Sequence, residues 1–174
     1  FNALWYNALM FATTIFEEQG KSPERIYKWK ETAESLKTAF VETFLNDYGY
    51  LYDYVDGNYM DLSVRPSMLI AVGCDFSPLD KSQRKKVLDF VTRELLTPNG
   101  VRTLSPKSFV YNPFFVGNKV QRQLASFNGP TRPWMTGFYT DAYLKVFGHS
   151  GVAFLRRMLI GYEDDMTREC IGSI

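Results

Sequence analysis

The sequence predicts an all-α fold built of antiparallel helical hairpins. Three observations carry this. Apolar residues recur at spacings of three and four through most of the chain, turn residues fall between those stretches, and strand-like alternation is confined to one short region. About six helices are expected, with a short hairpin near 48–56. The stacking is compatible with part of a toroid or of a solenoid, although no regular repeat is visible.

Each element has a local cause. Residues 1–19 form a helix with a wide apolar face at Phe1, Leu4, Trp5, Ala8, Leu9 and Phe11. Trp5 is expected in the core. Gly20 suits the position just past a helix end, where the left-handed backbone is free of a Cβ clash. Ser22-Pro23 then restarts a helix, with Ser22 as N-cap and Pro23 at the first turn. Ile26, Trp29, Ala33, Leu36, Phe40 and Phe44 make the clearest helical stripe, and so short a turn before it makes the two helices antiparallel.

The stretch YGYLYDYVDGNYMD (48–61) favours extended structure, with a turn at Asp56-Gly57. Pro66 fits the start of a short helix ending near Gly73, and Arg65 before it is held extended. Asp80 to Gln83 has the spacing of a capping box, opening a helix to about Leu96 with Val87, Val91 and Leu95 on one face. TPNG (97–100) is a turn. Residues 101–131 show no helical period and are expected to form a long functional loop. A helix from Pro133 carries Trp134, Phe138, Ala142, Tyr143 and Val146. Gly148 ends it, and Ser150 caps the last helix, with Val152, Phe154, Leu155 and Met158 on its stripe.

Composition excludes several function classes. With 20 basic and 19 acidic residues, the chain lacks the concentrated positive charge that nucleic acid or an anionic membrane requires. Arg84-Lys85-Lys86 reads as one solvated helix side. No apolar run approaches the ~20 residues that span a bilayer. Cys74 and Cys170 are far apart, as suits reduced thiols in a cytoplasmic protein. His149 is the single histidine and sits in a Gly-His-Ser turn, so neither a metal centre nor a Ser-His-Asp machine is expected. No phosphate-binding glycine motif occurs, and no cofactor is expected.

What remains is carboxylates, arginines and rings on loops. Aromatic residues make up 16% of the chain, enough for a ring-lined groove as well as a large aromatic core. Asp53, Asp56 and Asp61 lie among tyrosines. They either face a sugar, as paired carboxylates do in glycoside hydrolysis, or close turns through their own backbone. Asn128, Arg132 and Trp134 sit where a loop enters a helix. There Asn and Arg can hold hydroxyls, while Trp134 either stacks on a ring or packs in the core.

FNALWYNAL (1–9), LYDYVDG (51–57), the Asp61 to Arg65-Pro66 segment, LLTPNGVRTLSP (95–106) and GPTRPWMTGFYTDAYLKVFG (129–148) occur in this order. Together they resemble, essentially end to end, the carboxy-terminal domain of bacterial and archaeal glycogen debranching enzymes, the amylo-α-1,6-glucosidase type. The resemblance implies an (α/α)6 toroid of which residues 1–174 are a single fragment truncated at both ends. It implies hydrolysis of α-1,6-linked glucose at branch stubs of glycogen or related α-glucan, by two-carboxylate chemistry with inversion.

The resemblance also implies that the catalytic acid lies upstream of the stretch like residues 1–9. The base would lie just after the stretch like Ile171 to Ile174. The fragment alone is therefore expected to be inactive. Asp53, Asp56, Arg65, Asn128, Arg132 and Trp134 would line the sugar groove. Arg65-Pro66-Ser67-Met68 stands where relatives read Arg-Pro-Asn-Gln. Ser126 to Trp134 replaces a Tyr-His-Gln-Gly-Thr-Val-Trp-Pro-Trp segment. These departures leave a second expectation open, a non-catalytic module that binds carbohydrate or protein. Exposed helix flanks are expected to promote self-association.

Overall fold

A computed structural model describes residues 1–168. The chain is mostly helical, and seven α-helices lie among the described residues. Helices α1 (Asn2–Glu18) and α2 (Pro23–Phe44) form the expected antiparallel hairpin. A two-strand hairpin follows, β1 (Val55–Asp56) with β2 (Tyr59–Met60), then the short α3 (Met68–Gly73) and α4 (Lys81–Leu95). Strands β3 (Leu96–Thr97) and β4 (Gly100–Arg102) precede α5 (Lys119–Phe127), β5 (Thr131–Arg132), α6 (Met135–Phe147) and α7 (Val152–Arg168). The two small sheets, β1-β2 and β3-β4-β5, are antiparallel and qualify the all-α expectation.

The main core lies between α3, α4 and α6. Leu69 and Val72 of α3, Val87, Leu88, Val91 and Leu95 of α4, and Tyr139 and Ala142 of α6 are fully buried. Each such aliphatic side chain contributes roughly 1.5–3 kcal/mol of burial, so these stripes hold the helices together. A smaller cluster of Tyr6, Leu9 and Ala33, flanked by Trp29 and Leu36, joins α1 to α2.

Local signals are realised where they rest on neighbouring residues. Gly20 takes a positive φ of 61° after α1. Asp80 accepts from the Gln83 backbone while the Gln83 side chain accepts from the Asp80 backbone, a complete capping box. The hairpin of 48–56 is real but sits later, with Asp56 paired to Tyr59 across Gly57 and Asn58.

Four expectations are corrected. Ser22 has a left-handed backbone (φ 40°, ψ 74°) and makes no side-chain cap bond, because capping requires an extended residue there. Ser150 does not open α7. Its hydroxyl donates to the Phe147 carbonyl at 2.6 Å and closes the end of α6. Trp5 stands 53% exposed rather than in the core, since the buried side of α1 is Ala3, Tyr6, Leu9 and Thr13. Residues 101–131 are not all loop: they hold part of a sheet and the whole of α5.

Helix α5 has readable signals. Asn118 and Gln121 make a second complete capping box, and Val120, Leu124 and Phe127 are spaced by four and three. That stripe is exposed, so it contributes nothing to the core that would single it out. On α6 the buried face is Met135, Tyr139 and Ala142, whereas Trp134 and Phe138 turn outward. His149 is exposed in a 3-10 turn, as expected. Cys170 and the stretch Ile171 to Ile174 lie outside the described residues.

Candidate functional site

The loops after α2, α4 and α5 converge at the start of α3. The hairpin segment is pinned first: the Asp53 amide donates to the Asp61 carbonyl and the Asp61 amide to the Tyr54 carbonyl, both at 3.0 Å. Pro66 then opens the turn into α3, with the Leu69 amide donating to its carbonyl at 2.9 Å. Arg65, extended just before it, reaches across the junction.

Arg65 is the hub. Its Nε lies 3.3 Å from Asp53 Oδ2 in an ion pair. Its Nη1 donates to the Phe127 carbonyl at 2.6 Å and to the Thr103 carbonyl at 3.4 Å, and its Nη2 to Asn128 Oδ1 at 3.4 Å. A guanidinium has five N–H donors, so one remains on Nη2 for a ligand. Asp53 is held on both oxygens, because the Ser67 hydroxyl also donates to Oδ1 at 2.8 Å. Arg132 directs Nε and Nη2 to the Ser126 carbonyl at 3.4 and 3.3 Å, leaving three N–H groups.

The second half of the junction depends on Gly129. Its amide donates to Thr103 Oγ1 at 2.9 Å, and the Asn112 amide donates to the Asn128 carbonyl at 2.7 Å. A Cβ on Gly129 would fall 2.2 Å from the Asn112 carbonyl oxygen, so only glycine lets these two backbones approach.

Two cavities flank the junction. One of about 440 Å³ is lined by Arg65, Ser67, Thr103, Phe127, Arg132 and Trp134. Trp134 is 64% exposed and meets Phe138 edge to face at 5.6 Å, so most of its indole remains open. The other cavity, of about 310 Å³, is lined by Asn2, Phe44, Tyr52, Asp53 and Tyr54 among others, and Ser67 and Ile70 line both. The Tyr54 phenol is raised above its ordinary value, first by desolvation and then by Tyr59.

Five of the six residues expected from sequence thus meet at this junction. Asp53, Arg65 and Asn128 are directly connected, and Arg132 and Trp134 share a cavity with Arg65. Asp56 stands exposed on β1 and lines neither cavity. Asp61 closes a turn by accepting from the Ser63 amide at 2.8 Å. Ser67, Thr103 and Phe127 join the site without having been expected there. Ser67 has no signal beyond its place after Arg65-Pro66, and Thr103 and Phe127 arrive through long-range contacts.

The wall chemistry is specific in kind: guanidinium donors, a carboxylate acceptor, hydroxyls and open aromatic faces. A neutral, polyhydroxylated ring satisfies all of these at once. Among the described residues no group of three or more His, Cys, Asp or Glu side chains is placed to hold a metal ion. The Cys74 thiol is pushed up by burial first, which keeps it protonated and unreactive.

The fold and the junction define a mostly helical protein whose loops meet around cavities walled by rings and arginines. The chain belongs to the amylo-alpha-1,6-glucosidase family, whose model matches residues 1–174. That is the family of the glycogen debranching enzyme carboxy-terminal domain, in agreement with the ordered motifs. No curated protein matches the chain. No helix among the described residues is long and apolar enough to cross a membrane.

Proposed function

We propose that this chain forms the glucan-holding part of a debranching glucosidase that cleaves α-1,6-linked glucose from branch stubs of glycogen or a related α-glucan. In this reading its hairpins belong to an (α/α)6 toroid and it works in the cytoplasm. The observation that carries the reading is the junction itself: Asp53, Arg65, Asn128, Arg132 and Trp134 are gathered by the fold around two adjoining cavities in a chain of this family.

The roles divide by atom. Trp134 offers the open ring on which a pyranose C–H face packs. Arg132 and the remaining Arg65 N–H donate to hydroxyl oxygens. Asp53, fixed by Ser67 and Arg65, accepts from hydroxyls in the second cavity. Asp56 is outside this arrangement and takes no part in it.

A second reading has an observation of its own. Among the described residues the two cavities present one carboxylate, Asp53, whereas glycoside hydrolysis uses two. In that reading the chain by itself is a glucan-binding module, and hydrolysis takes at least one further carboxylate from outside these two cavities. The exposed Leu4, Trp5 and Phe11 on α1 support self-association of the isolated chain. A monodisperse monomer in light scattering at high concentration refutes that point.

The test of binding is a titration of maltotriose against the chain, followed by calorimetry. Trp134→Ala is expected to weaken binding at least about tenfold, the loss of one stacked ring together with the wall it forms. Binding unchanged by that substitution refutes the site. The hydrolytic part is tested with the complete polypeptide and a branched dextrin, where no release of glucose under any condition refutes it.

A further inference from the structure

Arg65 lines the cavity of about 440 Å³, and the residues just before it, 59–64, line a separate cavity of about 490 Å³. We propose that it is a second glucan-binding site, one that takes a short run of neutral sugar rings. This rests on the glucan reading of the first site.

Its walls argue for that ligand. Tyr59 and Phe109 stand on the rim, 56% and 99% exposed. A phenylalanine so fully in water contributes nothing to the core, and its whole face is available to a sugar ring. The floor is the Tyr50–Phe90 stack, with centroids 4.3 Å apart and planes at 24°.

The polar groups are held in place. Glu94 is buried and fixes three donors: Lys107 Nζ at 2.8 Å, Ser105 Oγ at 3.2 Å and Arg93 Nε at 3.2 Å. Lys107 keeps two further N–H donors on the ammonium that pairs with Glu94. Asp61 has Oδ1 engaged by the Ser63 amide and keeps Oδ2 as an acceptor. Two carboxylates and one ammonium disfavour an anionic ligand, and they match alternating hydroxyl donors and acceptors. A purely apolar ligand would strand these groups.

The test uses the chain as it stands, with maltotriose and glycogen as probes. Calorimetry counts the sites, while fluorescence of a chain carrying Trp5→Phe and Trp29→Phe, in which Trp134 is the one indole left, follows the first site. Two sites per chain are expected. Phe109→Ala combined with Tyr59→Ala is expected to remove one of them, to cut retention in glycogen-containing gels by about fivefold or more, and to leave the Trp134 titration unchanged. Both residues are exposed, so the variant keeps its fold, which circular dichroism checks. One site per chain that Trp134→Ala abolishes, or two sites that both survive in the Phe109/Tyr59 variant, overturns the proposal and leaves the first site standing. Absence of glucan binding at either site overturns both.

Discussion

Replacing Arg65 with Met tests the reading that one guanidinium holds the junction together. Methionine keeps most of the aliphatic stem, so the loss is mainly polar. The bond to the Phe127 carbonyl, at 2.6 Å, is short and charge-assisted, and contributes about 1.5–2 kcal/mol. The ion pair to Asp53 is about a quarter exposed on each side and, after screening by water, contributes about 1 kcal/mol. The two contacts at 3.4 Å are long and add a few tenths of a kcal/mol each.

A loss of about 3–4 kcal/mol follows. For a domain of this size that is a fall in Tm of roughly 6–16 °C. Calorimetric melts of wild type, Arg65→Met and Arg65→Lys measure it. Lysine keeps the charge but not the planar fork, so it is expected to recover less than half of the loss. A fall of under about 2 °C would refute the hub role. So would strict additivity with Asp53→Asn in a double-mutant cycle, because directly bonded partners must couple.

Other substitutions probe separate parts of the structure. Gly129→Ala drives a Cβ into the Asn112 carbonyl at 2.2 Å and is expected to cost about 2–3 kcal/mol, read as a lower urea midpoint. Thr92 donates to the Leu88 carbonyl, so at the 2.9 Å contact Tyr139 must be the donor to Thr92. Thr92→Val, which strands that buried phenol, is therefore expected to destabilise more than Tyr139→Phe, and equal effects would contradict the assignment. The Tyr139 phenol itself is pushed up to about 12, chiefly by burial, so ultraviolet titration should show it ionising well after the exposed tyrosines.

Burial pushes the Glu94 carboxyl up, but hydrogen bonds from Lys107, Arg93 and Ser105 outweigh it and hold the group below its ordinary 4.5. A depressed folded value means stability that is present above 4.5 and lost as pH falls through the folded value. Glu94→Gln should therefore cost about 1–2 kcal/mol near neutrality, with the deficit shrinking in acid melts. A pH-independent deficit would count against this.

The helices were legible wherever a few neighbouring residues decide them. The α1–α2 turn follows from Gly20 and Pro23, and the start of α4 from Asp80 and Gln83. The α4 stripe of Val87, Val91 and Leu95 is buried as its spacing requires. Helix α5 was missed although its capping box at Asn118 and Gln121 is local, because a helix of nine residues holds too few apolar repeats to stand out among the surrounding turn residues.

Side-chain types of the candidate site were legible too, but not their partners. Asp56 and Asp53 differ by three positions in one tyrosine-rich run, yet only Asp53 meets Arg65. Trp134 and Tyr139 share one helical segment, yet one stands in solvent and the other is fully buried.

The sequence by itself determined the family and those helices and turns that neighbouring residues decide, such as α1, α2 and the capping box of α4, because these depend on backbone preferences and on residues a few positions apart. Only the tertiary structure decided which groups meet. Arg65 bonds Asn128 across 63 positions, and Gly129 admits the 112 backbone beside Thr103. Such contacts depend on how whole helices pack, so no local pattern encodes them.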